Sequence, residues 1–289
     1  PPSVLMIVWG ILTEQSIGRL FLAGVLPGIM LATLFLCYVV GSAVLRPEVV
    51  GEAGAGAPVD VREAAEEAEP DSLQTVLSIF GMCFIIFAVL GGIWFGIFTP
   101  TEGAGAGAAL ALLFAVAKGM RWSALLKAIF AVGKTAAPIL ILLLMAALYS
   151  RTLAMTGVTT AIQDFFLNTG LEPWMILVCM VLVWFLLGMV IDSISIMLLT
   201  VPIFEPLAMA LGYDQVAFAI VGILAIEAGL LTPPFGLLVY TVKAAIQDDD
   251  VSVRQIFVSS IPYWIVMLAG IVAIITFPQI ANYLPDLLF

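Results

Sequence analysis

Histidine does not occur among the 289 residues, and charge is scarce, with ten bases and twenty acids making up 10% of the chain. The lack of histidine removes His-ligated metal sites and Ser-His or Cys-His nucleophilic pairs. No Gly-x-Ser-x-Gly run and no pair of membrane-embedded catalytic aspartates is present, so an intramembrane hydrolase is a poor reading and no enzyme is expected. Cys37, Cys83 and Cys179 lie singly inside apolar runs, which excludes a disulfide scaffold and predicts inert core thiols. A net charge of −10 argues against nucleic acid as a partner. What fills the sequence is apolar side chain, 63% hydrophobic against about 45–50% in a soluble domain. A soluble core of this size cannot hide so much apolar surface, so the expected solvent is a lipid bilayer. No segment alternates as a lipid-facing barrel strand does, which predicts an all-α polytopic membrane protein.

A spanning helix needs about 20 apolar residues. Residues 3–13 are too few and read as a half-helix, whereas 18–45 span easily. Residues 46–72 carry eight acids (Glu48, Glu52, Asp60, Glu63, Glu66, Glu67, Glu69, Asp71) among Gly, Ala and Pro, and read as a solvated loop with a short surface helix at 60–69. Spans resume at 74–98 and, after Phe98-Thr99-Pro100-Thr101-Glu102, at 103–117 and 134–154. Residues 157–170 suit an interfacial arm. Residues 173–190 and 196–211 flank the polar spot Asp192-Ser193-Ile194-Ser195, as the arms of a re-entrant hairpin would. A helix over 215–229 breaks at Leu231-Thr232-Pro233-Pro234 and restarts over 235–246, and a last span covers about 256–285. Trp122, Trp174 and Trp264 fall near expected span ends, where indoles anchor at the interface.

The opening Pro1-Pro2-Ser3 has no initiator methionine, basic n-region or cleavage site, so the sequence reads as a piece whose first part lies upstream. Pro1 to Val8 align with Pro233 to Tyr240. Each segment continues into a polar turn, then an arginine followed eight residues later by a proline, Arg19 with Pro27 and Arg254 with Pro262. If 173–211 is entered and left from one side, the two copies run in opposite directions. The positive-inside rule then orients the chain: Arg46, Arg62, Lys118, Arg121, Lys127, Lys134, Lys243 and Arg254 fall on one side, Arg19 and Arg151 on the other. The expected organisation is the end of a first inverted repeat (1–45), an acidic cytoplasmic loop (46–73) and a second repeat (74–289) ending in the periplasm. Inverted repeats with broken helices point to a secondary transporter.

Proline removes an amide donor and frees a carbonyl one turn earlier. In hydrocarbon such carbonyls need protein, water or a cation. Carbonyls near Gly229, Thr232 and Pro234, with the Thr232 hydroxyl, have the oxygen chemistry of a hard-ion site such as Na⁺, against the plainer reading of a packing kink. Asp192, with Ser193 and Ser195, is either part of that site or a solvated helix cap. Glu227 supplies charge, carries a proton, or fixes the loop by accepting backbone amides. Thr99, Thr101 and Glu102 form a second break in which capping competes evenly with ion contact. Gly103 and Gly107 make a small-xxx-small face for close helix packing.

Gly188-Met189-Val190-Ile191-Asp192 through Pro202, then Glu227-Ala228-Gly229-Leu230-Leu231-Thr232-Pro233-Pro234, resemble the large membrane subunit of TRAP-type transporters (DctM-like). Gly96-Ile97-Phe98-Thr99-Pro100-Thr101-Glu102 and the opening Pro1 to Met6 with Phe21-Leu22-Ala23-Gly24 resemble it too. The resemblance covers nearly the whole chain, as the carboxy-terminal two-thirds of such a subunit. It implies an elevator-type Na⁺ symporter for organic acids such as C4-dicarboxylates in the bacterial inner membrane. Its implied partners are a small four-helix membrane subunit and a periplasmic solute-binding protein. It places Na⁺ at Asp192, Ser193, Ser195, Gly229, Thr232 and Pro234, with Pro2 and Ser3 remaining from the equivalent first-repeat site. The alternatives are an ion-coupled organic anion transporter that needs no binding protein and a passive channel. The channel is disfavoured because polarity is confined to short breaks rather than lining whole helices.

The basic-residue bias generates a topological prediction. Cysteines introduced in the 46–72 loop stay unlabelled by an impermeant maleimide in intact cells; strong labelling inverts the orientation.

Overall fold

The computed structural model describes residues 3–45, 72–246 and 251–288. Every regular element among them is a helix. In chain order these are α1 (Val4–Thr13), α2 (Ile17–Ala23), α3 (Val25–Leu45), α4 (Ser72–Trp94), α5 (Pro100–Ala117), α6 (Trp122–Met155) and α7 (Val158–Asn168). They continue with α8 (Pro173–Gly188), α9 (Ser193–Ala210), α10 (Gln215–Gly229), α11 (Leu237–Ala245), α12 (Val253–Thr276) and α13 (Gln279–Leu288). Six of these stretches, Ile17–Leu45, Val76–Trp94, Pro100–Ala117, Trp122–Met155, Ser193–Ala210 and Val253–Thr276, are long and apolar enough to cross a bilayer. The chain is thus an all-α polytopic membrane protein.

By internal contact the chain forms two compact units, residues 1–31 with 128–289, and residues 32–127. The first is built around α10. Its sequence, QVAFAIVGILAIEAG, is apolar on all sides, the pattern of a helix enclosed by others rather than lying on a surface. Twelve of its fifteen residues are buried, against α8, α12, α9, α2, α13 and α1. Trp9 of α1, Trp184 of α8 and Phe218 of α10 meet there, with ring centroids 5.3–6.0 Å apart. Gly222 makes room for them, since a Cβ there would lie 2.6 Å from the Trp9 ring and 2.9 Å from that of Trp184. A buried indole N–H needs an acceptor. Trp184 Nε1 donates to Thr200 Oγ1 at 2.7 Å, and that hydroxyl donates to the Ile196 carbonyl at 2.7 Å, tying α8 to α9.

The second unit holds α4 and α5 packed through the small-residue face. A Cβ on Gly103 would lie 3.0 Å from Ile93, and one on Gly107 2.9 Å from Val89. α5 starts where Thr99, Pro100 and Glu102 supply a capping box with proline in the first turn.

Several expected boundaries shift, each for a local reason. The expected 18–45 span is interrupted at Gly24. Pro27 cannot donate an amide to the Ala23 carbonyl, and its ring crowds that group. Pro262 by contrast lies inside the continuous α12. The span expected at 134–154 begins at Trp122, because Lys127 and Lys134 are exposed and keep their charges off the apolar core while Pro138 is accommodated within the helix. The last span ends at Thr276, and Gln279–Leu288 forms a separate helix held to α2 by an Arg19–Asp286 ion pair of 3.0 Å. Cys37, Cys83 and Cys179 are exposed rather than core thiols. They sit on outward faces of apolar helices, where lipid replaces protein as the covering medium. Trp122 and Trp174 lie in the first turns of α6 and α8. Trp264 instead lies in mid-helix against Phe185, with ring centroids 5.8 Å apart. The surface helix expected at 60–69 lies outside the described residues.

The packing at Gly222 can be tested by thermal unfolding in detergent. Gly222→Ala should destabilise the protein by about 1–3 kcal/mol, the scale of overpacking a full core. Gly133→Ala, where a Cβ meets nothing within 4 Å, should instead stabilise it by about 0.5–1 kcal/mol, the helix-propensity gain of alanine over glycine. Equal melting temperatures for the two variants would contradict the packing described.

Candidate functional site

α8 ends at Gly188 and α9 begins at Ser193, leaving Met189-Val190-Ile191-Asp192 as the turn of a helical hairpin. The turn is short because its amides fold back, with Val190 and Ile191 both donating to the Leu187 carbonyl at 2.9 Å. Asp192 is the N-cap of α9, its carboxylate accepting from the Ser195 amide at 3.0 Å. The Ser193 hydroxyl donates to Glu227 Oε1, on α10, at 2.7 Å. Ser195 is half-buried and borders an otherwise apolar cavity of about 340 Å³ that also touches Met145, Tyr149 and Leu198.

α10 stops at Gly229. Leu230, Leu231 and Thr232 turn back to the Ile226, Ala228 and Gly229 carbonyls at 3.2, 3.2 and 3.0 Å. Thr232 is buried, 2% exposed, and its hydroxyl also donates to the Gly229 carbonyl, at 2.6 Å. That carbonyl therefore receives two donors, and the Thr232 oxygen keeps its lone pairs. The Pro233–Pro234 peptide is cis, and Gly236 takes a positive φ of 45° before α11 starts. Gly236 suits that position because a Cβ would strike Phe257 of α12 at 2.5 Å. Among the described residues, no hydrogen bond reaches the Pro234 carbonyl.

The turn and the break belong together. The Met189 carbonyl accepts from the amides of Phe235 at 3.2 Å and Gly236 at 3.4 Å. Ser260 of α12 donates to the Leu231 carbonyl at 2.9 Å. Below these bonds α8 crosses α10 at two glycines, where a Cβ on Gly188 would sit 2.6 Å from the Ile226 carbonyl and 2.8 Å from Gly229 Cα. Asp192, Ser193, Glu227, Gly229, Thr232 and Pro234 are thus drawn into one bonded region, with Ser195 just behind the turn. Ser3 stands at the N-cap position of α1 without a side-chain cap bond, and Pro2 lies outside the described residues. Thr99, Thr101 and Glu102 belong to the other unit. There the Glu102 carboxylate accepts from the Thr99 amide at 2.8 Å and hydroxyl at 2.9 Å, so capping occupies it.

Met189 and Ser260 were not anticipated from sequence. Met189 acts through its carbonyl, which no side chain advertises. Ser260 is an ordinary serine two residues before a helical proline.

Residues 1–280 match the family described as tripartite ATP-independent periplasmic transporter, DctM component. The C4-dicarboxylate TRAP transporter large permease protein of Pseudomonas aeruginosa is 29% identical over 99% of this chain and 64% of its own length. The ectoine TRAP transporter large permease protein of Halomonas elongata is 32% identical over 100% of this chain and 64% of its own. The sialic acid TRAP transporter permease protein of Haemophilus influenzae is 27% identical over 100% of this chain and 44% of its own. The chain spans 64% of the first two relatives' length, and the family match runs from the opening half-helix to the start of α13. The chain belongs to the DctM component family of the tripartite ATP-independent periplasmic transporters.

Proposed function

We propose that this chain forms the ion-coupled translocating part of a TRAP-type large permease. It imports organic acids with Na⁺ across the bacterial inner membrane. A small membrane subunit and a periplasmic solute-binding protein work with it. The acidic 46–73 loop lies in the cytoplasm and the C-terminus in the periplasm. The carrying observation is the bonding of the hairpin turn to the break after Gly229. It gathers oxygens from two separate segments at a place where helices short of the bilayer thickness end. α8, with 16 residues, is only about 24 Å long against a hydrocarbon core of about 30 Å. An arm of that length suits a hairpin that enters and returns on the same side.

The transported cation is cargo, and the oxygens suited to it are specific. Thr232 offers a hydroxyl oxygen whose proton is committed to Gly229, and among the described residues no hydrogen bond to the Pro234 carbonyl is formed. Asp192, Ser193 and Ser195 supply a carboxylate and two hydroxyls from the turn. The Gly229 carbonyl holds the Thr232 hydroxyl in place, and direct ligation by it requires one of its two present bonds to give way. Pro2 and Ser3 stand for the equivalent place in the first repeat. Two segments support inverted repeats: each is a short helix, a polar turn and a serine-capped longer stretch. Ser16 accepts from the Arg19 amide and Ser252 from that of Gln255. Under this reading the hairpin and the broken helix move as one loaded body, as in an elevator mechanism. The substrate stays open within organic acids, because the relatives' names span C4-dicarboxylate, ectoine and sialic acid.

The test is uptake by the reconstituted full-length system at varied Na⁺. Thr232→Val keeps the shape and removes the hydroxyl; Asp192→Ala removes a carboxylate. Each should raise the Na⁺ concentration for half-maximal uptake by roughly five- to 150-fold, for about 1–3 kcal/mol per lost polar partner. Binding of the solute-binding protein should be unchanged. Wild-type Na⁺ dependence in both variants, with uptake retained, would reduce these positions to structural kinks.

A further inference from the structure

Three hydrogen bonds join the hairpin turn to the break after α10. Two are made by backbone, from Phe235 and Gly236 to the Met189 carbonyl, at 3.2 and 3.4 Å. The third and shortest is Ser193 Oγ to Glu227 Oε1 at 2.7 Å, the one made by side chains on both partners. Glu227 is the only charged residue of α10, and a carboxyl at membrane depth is costly enough to require a role. It does not cap its own helix end. The amides of Leu230, Leu231 and Thr232, which a capping carboxyl would take, go to backbone carbonyls instead. Its hydrogen-bond partner comes from the facing element and stands next to Asp192.

We propose that Glu227 is a positioning residue of the ion site, holding the hairpin turn against the helix break through Ser193 rather than ligating the ion. The inference rests on the ion-coupled reading above and assigns the regulation of that site. With the turn held, the segment carrying Asp192 and Ser193 stays bonded to the segment carrying Thr232 and Pro234. With it released, the binding-competent arrangement is populated for a smaller fraction of the time, and the apparent ion affinity falls by that fraction. The bond needs an acceptor oxygen at the reach of a glutamate, not a charge. Glutamine retains that oxygen; alanine does not.

The test uses the full-length permease with its partner subunit in proteoliposomes, comparing Glu227→Gln, Glu227→Ala, Ser193→Ala and the Ser193→Ala/Glu227→Ala double variant. Two readouts are taken: the Na⁺ concentration for half-maximal uptake, and the maleimide modification rate of Val190→Cys. Val190 lies in the turn and is 53% exposed. The background has Cys37, Cys83 and Cys179, all exposed, replaced by serine and uptake verified. Glu227→Ala and Ser193→Ala should each raise half-saturation about tenfold, the scale of one strong hydrogen bond. Each should speed Val190→Cys modification without Na⁺. The double variant should be no worse than either single one, and Glu227→Gln should stay within about twofold of wild type. Glu227→Gln as impaired as Glu227→Ala, beside a normal Ser193→Ala, would overturn the proposal in favour of a charged ligand. Additive losses, or unchanged Val190→Cys modification in both single variants, would overturn it as well. Should Glu227→Ala fail to fold, the Val190→Cys modification rates of Glu227→Gln and Ser193→Ala decide the same question. Na⁺-independent uptake by the wild type would refute the ion-coupled reading instead, while the modification rates still report whether Glu227 holds the turn.

Discussion

A helix that stops within a packed apolar bundle leaves backbone groups that its apolar neighbours cannot satisfy, and the end of α10 at Gly229 is organised by that constraint. In hydrocarbon each such group needs a protein partner or a cavity. Thr232 answers for the Gly229 carbonyl, Ser260 for that of Leu231, and Met189 receives the amides of Phe235 and Gly236. The two prolines contribute no N–H at all, which reduces the number of donors needing a partner in the break. The hairpin is therefore not an ornament beside the broken helix. Its turn supplies the acceptor that lets the break exist, and the break supplies the donors that hold the turn.

That mutual dependence explains why small residues concentrate here. The Met189 carbonyl reaches Phe235 and Gly236 only if α8 and α10 approach backbone to backbone, which Gly188 and Gly229 permit. One turn before Gly188 and two turns before Gly229, Trp184 and Gly222 exchange volume in the opposite sense, a large side chain seated where the partner has none. The pairing of glycine with glycine near the turn and glycine with tryptophan below it fixes the axial register of the two helices. Sliding either by one residue would bring a side chain into the backbone of the other.

Much of this was legible in the sequence. Apolar runs and proline-threonine breaks located the hairpin arms, α10 and α11 to within a few residues, because in a bilayer hydropathy and interruption are dictated by one strong constraint. The family was legible from ordered motifs for the same reason. The errors arose where charge or proline was given too much weight or context too little. The span expected at 134–154 left out the first turns of a helix that starts at Trp122 and carries Lys127 and Lys134 exposed, and Trp264 was read as an interfacial anchor although it sits in mid-helix against Phe185. The cysteines were assigned to a core by their apolar neighbours, yet an apolar run in a membrane helix is as much outward as inward. Within the site, the polar side chains were visible but not their partners. Ser193 and Glu227 are 34 positions apart, and their meeting depends on the glycine crossing, which has no periodic signal.

The same crossing decides how the site responds to force. The polar contacts between turn and break lie at one end of a packed interface whose other end is the Trp9–Trp184–Phe218 cluster. Close-packed aromatic contacts yield little before they fail, because a small gap already forfeits much of their dispersion energy. Hydrogen bonds at a turn that contains the exposed residues Val190 and Asp192 can instead break singly, with water or a cation replacing the lost partner. The interface is thus stiff at the core end and adjustable at the polar end. A motion that opens the turn can then proceed without unpacking α10, and the broken helix keeps its place in the bundle while the oxygens at its end change partners.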